Sequence, residues 1–145
     1  MSYTNAAAAR NHEAPQYIRL RAAAARTKGD PVRISTGHTD GVQADVALAD
    51  DTNVYRIAVA AENAASGDIY NAVIKGTTKM TVASGTYTAG DGVLVVDGAV
   101  ADSSSAAQDR SGEVGNNDFG IIVTGGTSVT EITVTLFGDP FTATT

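Results

Sequence analysis

The sequence NVYRIAVAAENAASGDIYNAVIKG, residues 53–76, decides the fold. Large apolar residues alternate with polar or small ones over residues 55–59, and a period of two is typical of a β-strand with one buried face. Small and polar residues at 60–67 separate this run from a second apolar run at 69–74, which ends at Gly76. The stretch therefore predicts two strands joined by a connection too long for a tight hairpin.

The flanking sequence predicts further short strands between turn signals. Asp97-Gly98 is the strongest two-residue hairpin signal, and a second hairpin is predicted around Ser84-Gly85, between residues 79–82 and Tyr87. Over residues 42–48 the apolar residues are at the even positions, a loose period of two that is compatible with a strand. The remaining predicted strands are 17–24, 32–35, 93–96, 99–101, 119–123 and 131–137. The remaining turns are 28–31, 39–41, 50–53, 89–92 and 124–128, and residues 102–112 are predicted to form a serine-rich loop.

Three pieces of sequence recur in the same order at nearly one spacing. Residues 29–34 resemble 90–95, residues 55–59 resemble 119–123, and residues 74–76 resemble 136–138, with offsets of 61, 64 and 62 residues. A chance likeness is the alternative, because Gly-Asp turns and Val/Ile strands are common. Duplication of a β unit predicts two similar units that share one small all-β barrel or sandwich.

The chain divides into an arm, a body and a tail. Residues 1–16 contain four consecutive alanines and few large apolar side chains, so we expect a flexible arm that becomes ordered only on a partner. Residues 17–140 form the predicted β-rich domain, and residues 141–145 form a short tail.

The charge is unevenly distributed. The net charge is −6, but residues 1–33 carry six basic and two acidic side chains, and the rest of the chain is strongly acidic. An acidic body argues against nucleic acid as a partner, because a phosphate backbone needs a positive surface. The basic segment suits an acidic protein surface, although the same charges are also compatible with an ordinary solvated surface.

Cysteine is absent, which excludes disulfides and thiolate metal sites. No apolar run reaches the roughly 20 residues that span a bilayer, and the start of the chain lacks the features of a signal peptide. We therefore expect a protein that is synthesised in a cytoplasm and has no membrane partner.

The sequence offers little for catalysis or for cofactors. His12 and His38 lack a motif that supplies a nucleophile, and the serines at 103–105 are not in a nucleophile elbow. The acidic and amide residues at 50–53 and 116–118 are better explained as turn residues than as calcium ligands. We predict no enzyme activity, no cofactor and no metal.

Several residues carry a resemblance to a known family. Residues 119–123 (FGIIV) followed by 132–137 (ITVTLF) resemble the Gly-Ile-Leu-Ala-Val … Thr-Leu-Thr-Phe pattern of the phage lambda head protein D family. The turn and strand at 29–34 resemble related capsid decoration domains. The chain is thus similar to the head decoration (capsid cement) proteins of tailed bacteriophages, over roughly residues 17–137.

The resemblance implies a β-tulip-like domain that forms homotrimers on the outside of an expanded phage head and stabilises it. The implied partner is the major capsid protein, which the N-terminal arm would bind, and the protein would be located in the virion. We expect the arm and the first strand to make these contacts, through Tyr3, Arg10, Tyr17, Arg19 and Arg21.

Two other functions stay open. A carbohydrate-binding or host-surface-binding β module on a phage tail or fibre would need exposed aromatic side chains along a groove, and this chain has five tyrosines and no tryptophan. Another head or tail structural protein, such as a tail-tube or head-completion protein, is the third candidate.

Overall fold

The computed structural model describes residues 14–48, 57–96, 98–104 and 118–138. All regular structure in these residues is β, in one nine-stranded arrangement with the strand order β1-β3-β2-β4-β5-β9-β8-β6-β7. Within these ranges no helix is long and apolar enough to cross a membrane. The strands are β1 (Gln16–Arg21), β2 (Pro31–Thr39), β3 (Val42–Val46), β4 (Ile57–Ala60), β5 (Ile69–Tyr87), β6 (Gly92–Val96), β7 (Ala99–Asp102), β8 (Gly120–Thr124) and β9 (Gly126–Leu136).

The first β unit is a closed five-stranded barrel. β1 pairs antiparallel with the first part of β5, from Gln16 opposite Lys75 to Arg21 opposite Ile69. β1 also pairs parallel with β3, where Arg21 lies opposite Ala44, and this contact closes the ring β1-β3-β2-β4-β5. The prediction of a small all-β barrel is confirmed.

β5 belongs to both β units, which the sequence did not predict. It continues for 19 residues through Gly76 and through Ser84-Gly85, where we expected a strand end and a hairpin. Both expectations are wrong, because β1 and β4 pair with the first part of β5 and β9 pairs with its second part, with an irregular register between Thr81 and Tyr87. Gly76, at φ +98°, lies at the passage from one unit to the other.

The second β unit repeats the topology of the first. Its strand order β5-β9-β8-β6-β7 matches β1-β5-β4-β2-β3, so each unit has two outer strands that approach each other. In the second unit these strands, β5 and β7, are in contact without a hydrogen-bonded ladder between described residues. The buried Tyr87 hydroxyl lies there, 2.9 Å from the carbonyl oxygen of Ala83 and 3.4 Å from that of Val100.

Equivalent turns and glycines show that two of the three recurring sequence pieces occupy equivalent places. Asp30 donates its N–H to the carbonyl of Thr27, and Asp91 donates to that of Thr88. The glycine between each pair has a positive φ, +97° in the first turn and +94° in the second. Gly138, at φ +94°, likewise corresponds to Gly76.

One of the three offsets needs a correction. Val32 pairs with Ala58 in the first unit, and Val93 pairs with Gly120 in the second, so Ala58 corresponds to Gly120. The offset for this strand is therefore 62 residues and not 64. A shift of two residues keeps every side chain on the same face of a strand, so the alternation of apolar residues could not detect it.

Two hydrophobic clusters form the core. Leu20 and Tyr70 belong to the cluster of the first unit, and Met80 and Ile132 belong to the larger cluster of the second. β4 separates them and is buried on both faces, where we expected one: Ala58 packs in the first cluster and Val59 in the second. The two units are thus joined by packing as well as by β5.

One predicted turn and one predicted hairpin are confirmed by the pairing of their flanking residues. Thr39 lies opposite Val42 across Asp40-Gly41, and Val96 lies opposite Ala99 across Asp97-Gly98. Asp40 and Gly41 both have positive φ, as a type I′ turn requires. The turn predicted at 50–53 and most of the serine-rich loop lie outside the described residues.

We predict that Gly76→Ala destabilises the protein more than Gly67→Ala does. Both glycines have φ above +90°, so alanine at either position is strained by about 1–3 kcal/mol. A Cβ on Gly76 would also collide with the backbone of Ala14 and Pro15, whereas a Cβ on Gly67 would meet open space. The extra cost should be about 1–3 kcal/mol, measured by urea unfolding of both variants. Equal losses would show that the chain does not pass over Gly76 as described.

Candidate functional site

Three of the five predicted contact residues share one exposed face of β1. Tyr17, Arg19 and Arg21 alternate with Ile18 and Leu20, and Leu20 points into the first core cluster. Tyr17 is 57% exposed, the highest value among the exposed large hydrophobic side chains of the described residues. The other two predicted residues, Tyr3 and Arg10, lie outside the described residues.

The adjacent part of β5 extends this surface. Asn71 lies opposite Arg19, and Ile69, which is 38% exposed, lies opposite Arg21. The Arg21 guanidinium donates to the carbonyl of Gly67 at 3.0 Å, which holds it against the end of the barrel. We call Tyr17, Arg19, Arg21, Ile69 and Asn71 the β1 face; it combines an aromatic ring, an aliphatic side chain and two guanidinium groups.

A groove of about 620 Å³ begins at Tyr17 and follows the boundary between the two β units. It lies where β1 starts and where β5 passes from the first unit to the second. We call it the inter-unit groove. Its lining residues are Pro15, Tyr17, Lys28, Gly29, Ala60, Ala61, Val73, Thr78, Lys79 and Glu131.

A buried polar cluster fixes the segment that follows β1. The Asp45 carboxylate is fully buried and accepts hydrogen bonds from the Arg26 guanidinium at 2.8 and 2.9 Å. It also accepts from the Ala23 N–H at 2.8 Å and from the Tyr70 hydroxyl at 2.5 Å. All these donors converge on one carboxylate, so the chain between β1 and β2 is tied to β3 and β5.

The hydrogen bonds in this cluster set the charge of Asp45. Burial disfavours the carboxylate, but the hydrogen bonds from Arg26, Tyr70 and Ala23 outweigh burial and lower the pKa of Asp45. Burial and the neighbouring carboxylate raise the pKa of Tyr70, which stays a hydrogen-bond donor. The cluster is therefore an ionised carboxylate with matched donors, and it has a structural role.

The alternation over residues 42–48 does not single out Asp45, which is the fully buried residue of β3. The apolar residues Val42, Ala44 and Val46 are only half-buried. Aspartate is depleted in strands unless a partner satisfies it. An aspartate between two apolar residues was therefore the available signal, but the sequence does not indicate that Arg26 is its partner.

The second unit has its own buried carboxylates. Asp102 accepts from the Thr88 N–H and from the N–H and hydroxyl of Ser104, at 2.7–2.8 Å. Burial raises the pKa of the neighbouring Asp91, and a hydrogen bond to Asp102 adds to this effect. Within the described ranges, no three His, Cys, Asp or Glu side chains are grouped so that they could hold a metal ion. These carboxylates brace turns.

No family model matches this chain, and no curated protein matches its sequence. A solved structure with a similar fold is the N base of the head fibre protein gp8.5 of bacteriophage phi29. The TM-score is 0.54 and the sequence identity is 15%, over 90% of this chain and 100% of that one. At this identity the comparison shows a shared fold.

We predict that Asp45→Asn lowers the free energy of unfolding at pH 7 by about 3–5 kcal/mol, because it leaves Arg26 without its buried partner. The lowered pKa of Asp45 stabilises the folded state above the unfolded-state pKa, and this contribution is lost as the pH falls through the folded-state pKa. The difference between wild type and variant should therefore shrink below about pH 4.

The control for this measurement is Asp68→Asn, which removes an exposed carboxylate that accepts from the Ala65 N–H in its own turn. Chemical denaturation of the three proteins between pH 3 and pH 7 makes the comparison. A gap between wild type and Asp45→Asn that is as wide at pH 3 as at pH 7 would contradict the assignment of a charged Asp45.

Proposed function

We propose that this chain is a structural protein of a phage head that binds the outside of the shell. The observation that carries the proposal is the shared fold with the base of a phage head fibre, over the full length of that base. The sequence resemblance to head decoration proteins supports the same class. On this proposal the protein acts by binding and carries out no chemistry.

The β1 face is the surface that suits attachment best. It combines the exposed Tyr17 ring with Arg19 and Arg21, the residue types that are enriched at protein interfaces. Residues 1–13 directly precede Ala14, so this segment is covalently attached next to the β1 face. Any contact that the segment makes with the shell would therefore bring the β1 face close to the shell. Many copies that each bind weakly would together hold a shell through multivalency.

The charge distribution supports an orientation with the second unit facing outward. Residues 1–75 contain eight basic and eight acidic side chains, whereas residues 76–138 contain two basic and seven acidic ones. The neutral first unit carries the β1 face, and the acidic second unit would face solvent. Such an outer surface also disfavours binding to nucleic acid.

A homotrimer is the assembly that we propose, as the resemblance to decoration proteins implies. Val123 on β8 is 47% exposed and belongs to the second unit, whereas the β1 face belongs to the first, so it offers an apolar contact to a neighbouring copy. Light scattering of the purified protein at micromolar concentration should give the mass of three chains. A monomer under these conditions would count against this assembly.

Carbohydrate binding is the second candidate, since Tyr17 lines a groove. Sugar sites use aromatic rings as stacking platforms, and Tyr17 is the one aromatic residue among the exposed large hydrophobic side chains of the described residues. The single ring makes this function the weaker candidate.

We predict that deletion of residues 1–13 leaves a folded protein that binds phage heads much more weakly. Every strand of both units lies downstream of this segment, so the melting temperature should change by no more than about 2–4 °C, the effect of a modest stability change. Binding to heads of the phage whose genome encodes the chain should fall at least about tenfold in a sedimentation assay, as the arm contacts are lost.

The matched control removes residues 139–145 from the other end of the chain and should bind heads as wild type does. A protein without residues 1–13 that still decorates heads at wild-type affinity would refute the role of the arm.

A further inference from the structure

The turn before β2 is held rigidly at the edge of the inter-unit groove. The N–H of Gly29 donates to Ala60 and its carbonyl accepts from the N–H of Thr81, at 2.8 and 2.9 Å. The N–H of Lys28 donates to the side chain of Asn63 at 2.8 Å. β4, β5 and the segment between them therefore fix the backbone of this turn.

These contacts place two lysines on the same groove. Lys28 is in the fixed turn, and Lys79 is two residues before Thr81 on β5, so both side chains originate from rigid backbone. Both are exposed, and the ion pair found among the described residues involves neither of them. The groove thus has two ammonium groups and one carboxylate, that of Glu131, with no close ion pair to either lysine among the described residues, and this excess of positive charge favours an anionic group in the groove.

The other lining residues restrict the kind of anion. Tyr17, Pro15 and Ala61 offer apolar contacts, and Glu131 offers an acceptor that would repel a polyanion. A phosphate chain would also be repelled by the net charge of −6. A polypeptide fits this combination, because it brings a single carboxylate together with N–H donors and apolar side chains.

We propose that the inter-unit groove receives an acidic side chain on an extended segment of the shell protein. This inference rests on the proposed function and names the contact through which the shell is recognised. Lys28 and Lys79 bind the carboxylate from two sides, Tyr17 packs against the segment beside it, and Glu131 accepts a hydrogen bond from the segment. The groove is continuous with the β1 face through Tyr17, so both form one binding surface.

The test is charge reversal at the two lysines, with purified heads of the encoding phage as the probe. Lys28→Glu with Lys79→Glu should weaken binding at least about tenfold, and Lys28→Gln with Lys79→Gln should give a smaller loss. The single variants Lys79→Glu and Lys75→Glu form a matched pair, because both residues are exposed on β5 and Lys75 does not line the groove. Lys75→Glu should stay within about twofold of wild type.

The outcomes separate the two proposals. If wild-type protein binds heads and the double Glu variant binds equally well, the groove assignment is overturned and the proposed function stands. If wild-type protein does not bind heads at all, the proposed function fails and the groove assignment fails with it. Equal losses of head binding for Lys79→Glu and Lys75→Glu would also overturn the assignment. The losses would then come from the changed net charge of the protein and not from a contact in the groove.

Glycan binding is tested with the same variants and the cell-wall polysaccharide of the host. The proposal would be overturned in favour of a carbohydrate site by three results together. Wild-type protein would bind this polysaccharide, the double Glu variant would not, and the variant would still bind heads. Circular dichroism spectra and melting temperatures should match wild type for all variants, because each substituted lysine is exposed.

Discussion

The fold depends on one uninterrupted strand that belongs to two β units at once. β5 pairs with β1 and β4 in the first unit and with β9 in the second, so the backbone hydrogen bonds of both units share its 19 residues. β4 adds a second constraint, because its two faces are buried in different clusters. The position of the groove and of the β1 face relative to the second unit is therefore fixed by the strand pairing along β5 and by the packing of β4 between the two clusters.

The two units have the same topology but differ in how they are completed. The first is closed by backbone pairing between β1 and β3, and the Asp45 cluster ties down the chain after β1. In the second, β5 and β7 are in contact without a backbone ladder between described residues, and the Tyr87 hydroxyl reaches the carbonyl of Val100 there. The β1 face with its aromatic and basic side chains lies on the first unit, and the second unit has the more acidic sequence.

The sequence predicted local features well because they depend on local chemistry. The turn at Asp40-Gly41, the hairpin that contains Gly98 and the recurring Gly-Asp turns each have a positive φ that few residues tolerate. The class of fold followed from alternating Val and Ile between such turns. The recurring sequence pieces indicated two similar units, because equivalent turns and strands need residues of the same type at the same spacing.

Features that depend on distant partners could not be predicted in this way. Ser84-Gly85 has the composition of a turn, but it remains in a strand because β9 pairs with this part of β5. Asp45 is polar, yet it is buried because Arg26 and Tyr70 reach it from other elements. The predicted contact residues Tyr17, Arg19 and Arg21 lie on one short strand, whereas the groove beside them needs Lys28 and Lys79, which are far apart in the chain.

The central claim is that the first unit attaches the protein to a phage head. Electron cryomicroscopy of heads incubated with the purified protein tests it most directly, since the two units can be told apart in the density. We expect added density on the outside of the shell, with the β1 face and the inter-unit groove against it and the second unit facing solvent. Density in which the second unit contacts the shell and the β1 face points outward, or heads that gain no density, would contradict the claim.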